Sequence, residues 1–136
     1  MPYTICYVST ITNFIEDLDI KRLFKNFVEK NIENNISGIL LYNSGNFLQY
    51  LEGNEQDVKT LYYKKICVDN RHKSPIVILE KKINKLYFSG FEAGYVSILE
   101  KNQVRNLKSY LNLLNYLDSS EIKVLTKTVN SFLNDR

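Results

Sequence analysis

Apolar and polar positions alternate from Tyr3 to Ser9, with Tyr3, Ile5, Tyr7 and Ser9 on one face and Thr4, Cys6 and Val8 on the other. A period of two predicts a strand. Both faces are largely apolar, so the strand should be covered on both sides. The period then changes. Ile20, Leu23, Phe24, Phe27 and Val28 form a single apolar stripe at helical spacing. Asp17 or Asp19 could cap this helix, and Asn31 falls on the same face one turn after Phe27. Glu33-Asn34-Asn35 breaks the pattern. Two strands follow, Ile36 to Tyr42 and Phe47 to Glu52, around the turn residues Asn43-Ser44-Gly45-Asn46. A second helix is expected from Asn54, a good cap with Asp57 in the first turn. Val58, Leu61, Tyr62, Ile66 and Asp69 lie on one of its faces, and it should end near Asn70-Arg71-His72. Beyond Pro75 come a strand from Ile76 to Leu79 and an extended segment from Leu86 to Ile98, interrupted by Gly90 and Gly94.

The resulting order, βαββαββ, is an α+β ferredoxin-like plan with one extra strand. Both helices would lie on one face of the sheet and leave the other bare. The last third supplies a cover. Val104, Leu107, Leu111 and Leu114 form one stripe, flanked by Tyr110, Leu113 and Leu117. Ile122, Leu125, Val129, Phe132 and Leu133 form another, introduced by Asp118-Ser-Ser-Glu121, which resembles a capping box. We read these as a C-terminal αα-hairpin packed on the open sheet face or on a partner. The expected division is a domain over 1–98 and a two-helix extension over 99–136.

Composition removes several classes of function. The two cysteines, Cys6 and Cys67, and the single histidine, His72, are too few and too scattered for a structural zinc site. No apolar run approaches the ~20 residues of a membrane helix, and the start of the chain lacks the pattern of a secretion signal. These features lead us to expect a cytoplasmic location, no membrane association and no metal. A net charge of +3 without a basic cluster argues against nucleic acid.

The groups expected to converge between helices and sheet are Tyr7, Asn31, Gln49, Asp69 and Arg71. They contain no nucleophile with a base beside it and no evident carboxylate pair. A phenol and two amides instead suit the edge of a planar heterocycle, with Leu23 and Ile66 against its faces. Taken singly each residue has a plainer role. Tyr7 reads as a core phenol, Gln49 as an amide bonded to backbone, Asn31 as a helix C-cap, and Arg71-His72 as a solvated helix end. Their joint spacing argues otherwise, because Tyr7 precedes Gln49 by 42 residues and Asn31 precedes it by 18.

Ile5-Cys-Tyr7-Val-Ser9, Asn31, Ile36-Ser-Gly38-Ile-Leu-Leu-Tyr42, Phe47-Leu-Gln49-Tyr-Leu-Glu-Gly53 and Asp69-Asn-Arg71-His72 resemble the BLUF domain, a blue-light sensor that uses flavin. The resemblance runs from about Pro2 to Ile98. It implies noncovalent FAD, with Tyr7 as electron and proton donor and Gln49 as the amide that rearranges its hydrogen bonds to the flavin. It implies Asn31 and Arg71 on the flavin carbonyls, Lys30 near the flavin or its tail, and Leu23, Phe27, Ile66 and Asp69 completing the cofactor site. Phe91 and Ala93 stand where the family usually has tryptophan and methionine, so Tyr7 should have no tryptophan competing as donor.

The expectation is therefore a photoreceptor with no enzymatic activity. Its output would pass through the C-terminal helices to a partner protein in trans, or to self-association through those helices or the sheet face. The rival is a ferredoxin-like ligand-binding or interaction module without photochemistry. An acylphosphatase-like enzyme is disfavoured because Thr10-Ile-Thr-Asn-Phe14 contains no arginine and no phosphate-binding loop.

Overall fold

The computed structural model describes residues 2–11, 35–68, 72–89, 96–97, 101–117 and 119–133, together with Arg22, Lys25 and Glu29. Five strands, β1 (Pro2–Ile11), β2 (Ser37–Asn43), β3 (Asn46–Asn54), β4 (His72–Lys82) and β5 (Val96–Ser97), form one sheet in the order β4-β1-β3-β2-β5. The first four pair antiparallel, and β5 joins β2 in parallel. With β1 and β3 at the centre, this is the ferredoxin-like arrangement with an added strand. Arg22, Lys25 and Glu29 are helical and exposed. The apolar stripe expected between them falls outside the described residues.

Helix α1 (Glu55–Thr60) starts where Asn54 caps it, the Gln56 N–H donating to Asn54 Oδ1 at 2.9 Å. From Leu61 to Ile66 the winding loosens to a π-helix, and the Cys67 N–H reaches back to the Tyr62 carbonyl at 2.8 Å. Val58, Leu61, Tyr62 and Ile66 are buried against Tyr3, Ile5, Tyr7 and Leu51, as the periodicity predicted. The helical segment stops at Ile66, earlier than expected, and His72 already belongs to β4. Pairing with β1 draws β4 out to His72–Lys82, well beyond the predicted Ile76–Leu79. Pro75 sits where the β1–β4 register shifts between Val8 and Thr10, on an edge strand, where a missing N–H costs least.

The opposite face of the sheet is covered by the predicted αα-hairpin, α2 (Lys101–Leu117) and α3 (Ser119–Leu133). Leu107, Leu111, Ile122, Leu125, Val129 and Leu133 are buried against Cys6, Ile39, Leu41, Leu48 and Tyr50. The hairpin therefore packs on the chain's own sheet and completes its core. Burying six such side chains stabilises the fold by about 1.5–3 kcal/mol each before the entropy cost of ordering them.

The segment expected to be extended from Leu86 differs. Residues 87–89 form a bend, and within 86–98 the described strand is Val96–Ser97 alone. The bend has a cause: the Tyr87 and Phe88 N–H groups donate to the Glu52 carboxylate and not to a neighbouring strand. Gly38 is required where it stands. At φ +149° a Cβ would lie 1.8 Å from the Tyr50 carbonyl oxygen.

Candidate functional site

The antiparallel register of β1 and β3 sets Tyr7 opposite Gln49, with Leu40 of β2 on the other side of Gln49. This pairing is what the 42-residue spacing encodes. A register shift between Cys6 and Tyr7 in the β1–β4 pair places an irregularity beside the phenol, where bulges commonly re-aim a side chain. Tyr7 and Gln49 are 2% and 1% exposed. The Tyr7 hydroxyl donates to Gln49 Oε1 at 2.5 Å. The Tyr7 ring leans on Tyr62 with centroids 5.0 Å apart and planes at 51°. Ile66 is buried in the same cluster.

Among the described residues, no hydrogen bond uses the Gln49 Nε2. The pair thus presents an uncharged donor with capacity to spare on the helix-covered face of the sheet. An amide is also reversible in function. Turning it over exchanges donor for acceptor with no change of shape or charge. A buried network with two such arrangements is bistable.

Leu23, Phe27, Lys30, Asn31, Asp69 and Arg71 lie outside the described residues, as do Phe91 and Ala93. Cys6 packs on the face away from Tyr7, and burial pushes its thiol up to about 12. It is a small hydrophobe there, as expected. Among the described residues no cluster of His, Cys, Asp or Glu could hold a metal ion, and no helix is long and apolar enough to cross a membrane.

Two features escaped the sequence reading. The first is Glu52, fully buried, which accepts from Tyr87 N at 2.8 Å, Phe88 N at 2.7 Å and Ser37 Oγ at 2.8 Å. Burial raises its carboxyl above the ordinary range, against the pull of these donors. Its place in period two with Leu48 and Tyr50, on a strand face expected to be covered, was the available signal. The second is the pair Tyr62-Tyr63. The doublet was visible, but only the fold puts Tyr62 against Tyr7.

A family model described as "BLUF: Sensors of blue-light using FAD" matches residues 3–94. The chain belongs to the BLUF family of flavin-binding blue-light sensors. It is 30% identical over 132 residues to the photoactivated adenylate cyclase subunit alpha of Euglena gracilis, covering 90% of this chain and 13% of that protein. The chain thus spans about an eighth of that curated relative. A solved structure of BlsA in its photo-activated state superposes with a TM-score of 0.69 at 27% identity, over 100% of this chain and 97% of the other. Klebsiella pneumoniae BlrP1 with FMN and cyclic diGMP gives a TM-score of 0.76 at 24% identity over 99% of this chain and 35% of that one, a likeness of fold. The chemistry of the described pair fits a flavin. The spare Nε2 donor of Gln49 lies on the sheet face covered by α1, where a flavin's carbonyl and ring-nitrogen edge would give it an acceptor.

Proposed function

We propose that Tyr7 and Gln49 are the photoactive pair of this sensor and that its flavin is FAD. Asn31 and Arg71 would hold the flavin carbonyls, with Leu23, Phe27, Lys30, Ile66 and Asp69 around it. The observation that carries the reading is the 2.5 Å bond from Tyr7 to Gln49, whose amide nitrogen has no partner among the described residues. When bound, flavin supplies blue-light absorption and an excited state that accepts an electron. Tyr7 would give up that electron and its proton, Gln49 would relay the proton and reverse its amide, and the same electron and proton would then return to Tyr7, leaving it an intact phenol with its hydrogen-bond partner inverted. The reversed amide would present its opposite end to the flavin edge and so move the absorption to the red. The site uses no nucleophile and turns over no substrate, so its product is a signal. An absorption spectrum before and after blue light tests this. A small reversible red shift is expected. Bleaching with no red shift, or a colourless protein that refuses added FAD, would favour the rival ligand-binding or interaction module.

The output reading is that residues 1–98 sense and residues 99–136 relay, in the cytoplasm, to a partner protein in trans or to a second copy through the C-terminal helices or the sheet face. Its support is the bonding between sheet and tail. The Tyr110 hydroxyl of α2 donates to the Tyr87 carbonyl in the bend that Glu52 holds, and Asn43 Nδ2 donates to the Phe132 carbonyl of α3 at 2.8 Å. Deleting the tail would strip the core, so the informative change is Tyr110→Phe, which removes one hydroxyl. Light-minus-dark hydrogen exchange should show altered protection in α2 in the wild type and a smaller difference in Tyr110→Phe, with the red shift kept in both. Equal differences in the two proteins would remove Tyr110 from the relay.

A further inference from the structure

The ring of Tyr7 is the first of three in contact. Tyr62 lies 5.0 Å from Tyr7, centroid to centroid, and Tyr63 lies 4.9 Å from Tyr62 at 83°. Both spacings fall within the range of aromatic pairs in van der Waals contact. The series leads outward, from 2% exposure at Tyr7 and at Tyr62 to 47% at Tyr63. The last hydroxyl has a proton acceptor in place, donating to Glu80 Oε1 at 2.7 Å. The other oxygen of the same carboxylate accepts from Tyr3 at 2.8 Å.

We propose that Tyr62 and Tyr63 form a redox relay that draws the oxidising equivalent from Tyr7 to the protein surface, with Glu80 taking the proton. This rests on Tyr7 being the donor to the excited flavin. The relay operates in the interval when Tyr7 has lost an electron but still holds its proton in the bond to Gln49. One electron moves from Tyr63 through the Tyr62 ring to Tyr7, which becomes an intact phenol again. The Tyr63 phenol proton moves along its hydrogen bond to Glu80. The balance closes: the flavin has gained one electron, Tyr63 has lost one electron and one proton to become a neutral phenoxyl radical, and Glu80 has become a carboxylic acid. No other oxidant or reductant enters.

The physical reason for the direction is proton management. A tyrosine gives up an electron readily only if its proton has somewhere to go. Burial, followed by the Cys67 side chain, pushes the Tyr62 phenol up, whereas the Tyr63 hydroxyl is bonded to a carboxylate that can take its proton, so Tyr62 acts as the bridge and Tyr63 as the end of the path. The hydrogen bond to Glu80 comes first among the causes that push Tyr63 up to about 12. That is the mark of a phenol already bonded to a strong acceptor. The equivalent therefore passes across Tyr62 and settles at Tyr63, two ring contacts from Tyr7 and at the surface.

Continuous blue illumination of the flavin-loaded full chain tests the relay, with two readouts on the protein itself. These are the tyrosyl radical signal in electron paramagnetic resonance and dityrosine fluorescence in cross-linked dimers on denaturing gels. Wild type should show both. Tyr63→Phe should lose both. Tyr62→Phe and Glu80→Gln should reduce them on the order of tenfold, which a rise of about 1.4 kcal/mol in the free-energy barrier suffices to produce. Tyr116→Phe, at the most exposed of the described tyrosines (88%), should leave them unchanged. The reversible red shift is recorded on every sample. A red shift with radical and cross-link yields indifferent to Tyr62→Phe and Tyr63→Phe overturns the relay and leaves the photoactive pair standing. A wild type with no red shift overturns the photoactive pair and the relay with it.

Discussion

Tyr7→Phe is expected to keep its flavin and lose the reversible red shift altogether. The ring remains, so the packing on Tyr62 and the buried cluster around Ile5, Leu51 and Ile66 should persist. What disappears is the hydroxyl that donates to Gln49 Oε1. Leaving that carbonyl without its donor costs about 1–3 kcal/mol, which a domain with about 5–15 kcal/mol of stability tolerates. Phenylalanine can supply neither an electron nor a proton, and the hydrogen bond through which the Gln49 amide is driven to reverse no longer exists. Gln49→Ala should fail for the complementary reason, keeping the donor and losing the switch. The measurement is a light-minus-dark difference spectrum on both variants. A slow bleach in Tyr7→Phe fits the reading, since Tyr62 is still nearby. A red shift of wild-type size in either variant does not.

Glu52→Ala is expected to destabilise the fold by about 3–5 kcal/mol, because it strands two buried backbone N–H groups at about 1–3 kcal/mol each together with the Ser37 hydroxyl. Urea denaturation measures it, and a loss below about 1 kcal/mol, the size of an ordinary substitution, would contradict the role assigned to this carboxylate. The same residue makes stability depend on pH. Burial holds its carboxyl above the ordinary 4.5, so in that range the folded protein binds a proton more tightly than the unfolded chain. Its contribution is therefore greatest below 4.5 and declines as pH rises toward the folded value. Glu52→Gln cannot ionise. The difference in stability between wild type and Glu52→Gln should shift in favour of Gln as pH rises through that interval and flatten above it. A difference that moves the other way would mean the three donors, not burial, set the titration.

The sequence was most legible where side-chain period and secondary structure coincide. The alternation from Tyr3 to Ser9 gave β1 and correctly separated Tyr7 from Cys6. The helical stripes gave α1, α2 and α3 with their buried faces. Boundaries were less legible. The π-turn at Leu61–Ile66 leaves no mark in apolar periodicity, so the second helix ends earlier than its stripe suggests, and β4 outruns its apolar run because the residues it adds, 72–75 and 80–82, are polar or proline. The bend at Tyr87-Phe88 was read as extended since nothing local announces a carboxylate 35 residues earlier that claims its N–H groups.

The candidate site divides in the same way. Which residues could act was written in the chain: the phenol, the amide, and the spacing between them that resembles the family. That the two touch was decided by the β1–β3 register, a long-range pairing that no local propensity encodes. The destination of the C-terminal helices was open in the sequence, and only the tertiary structure showed that they close the chain's own sheet. The neighbours of the phenol followed the same rule. The run of tyrosines is a fact of composition, but a contact between Tyr7 and Tyr62, or between Tyr63 and Glu80, arises when α1 packs on β1 and β4 arrives beside it. Local sequence sets what each side chain can do, whereas packing sets what it does it to.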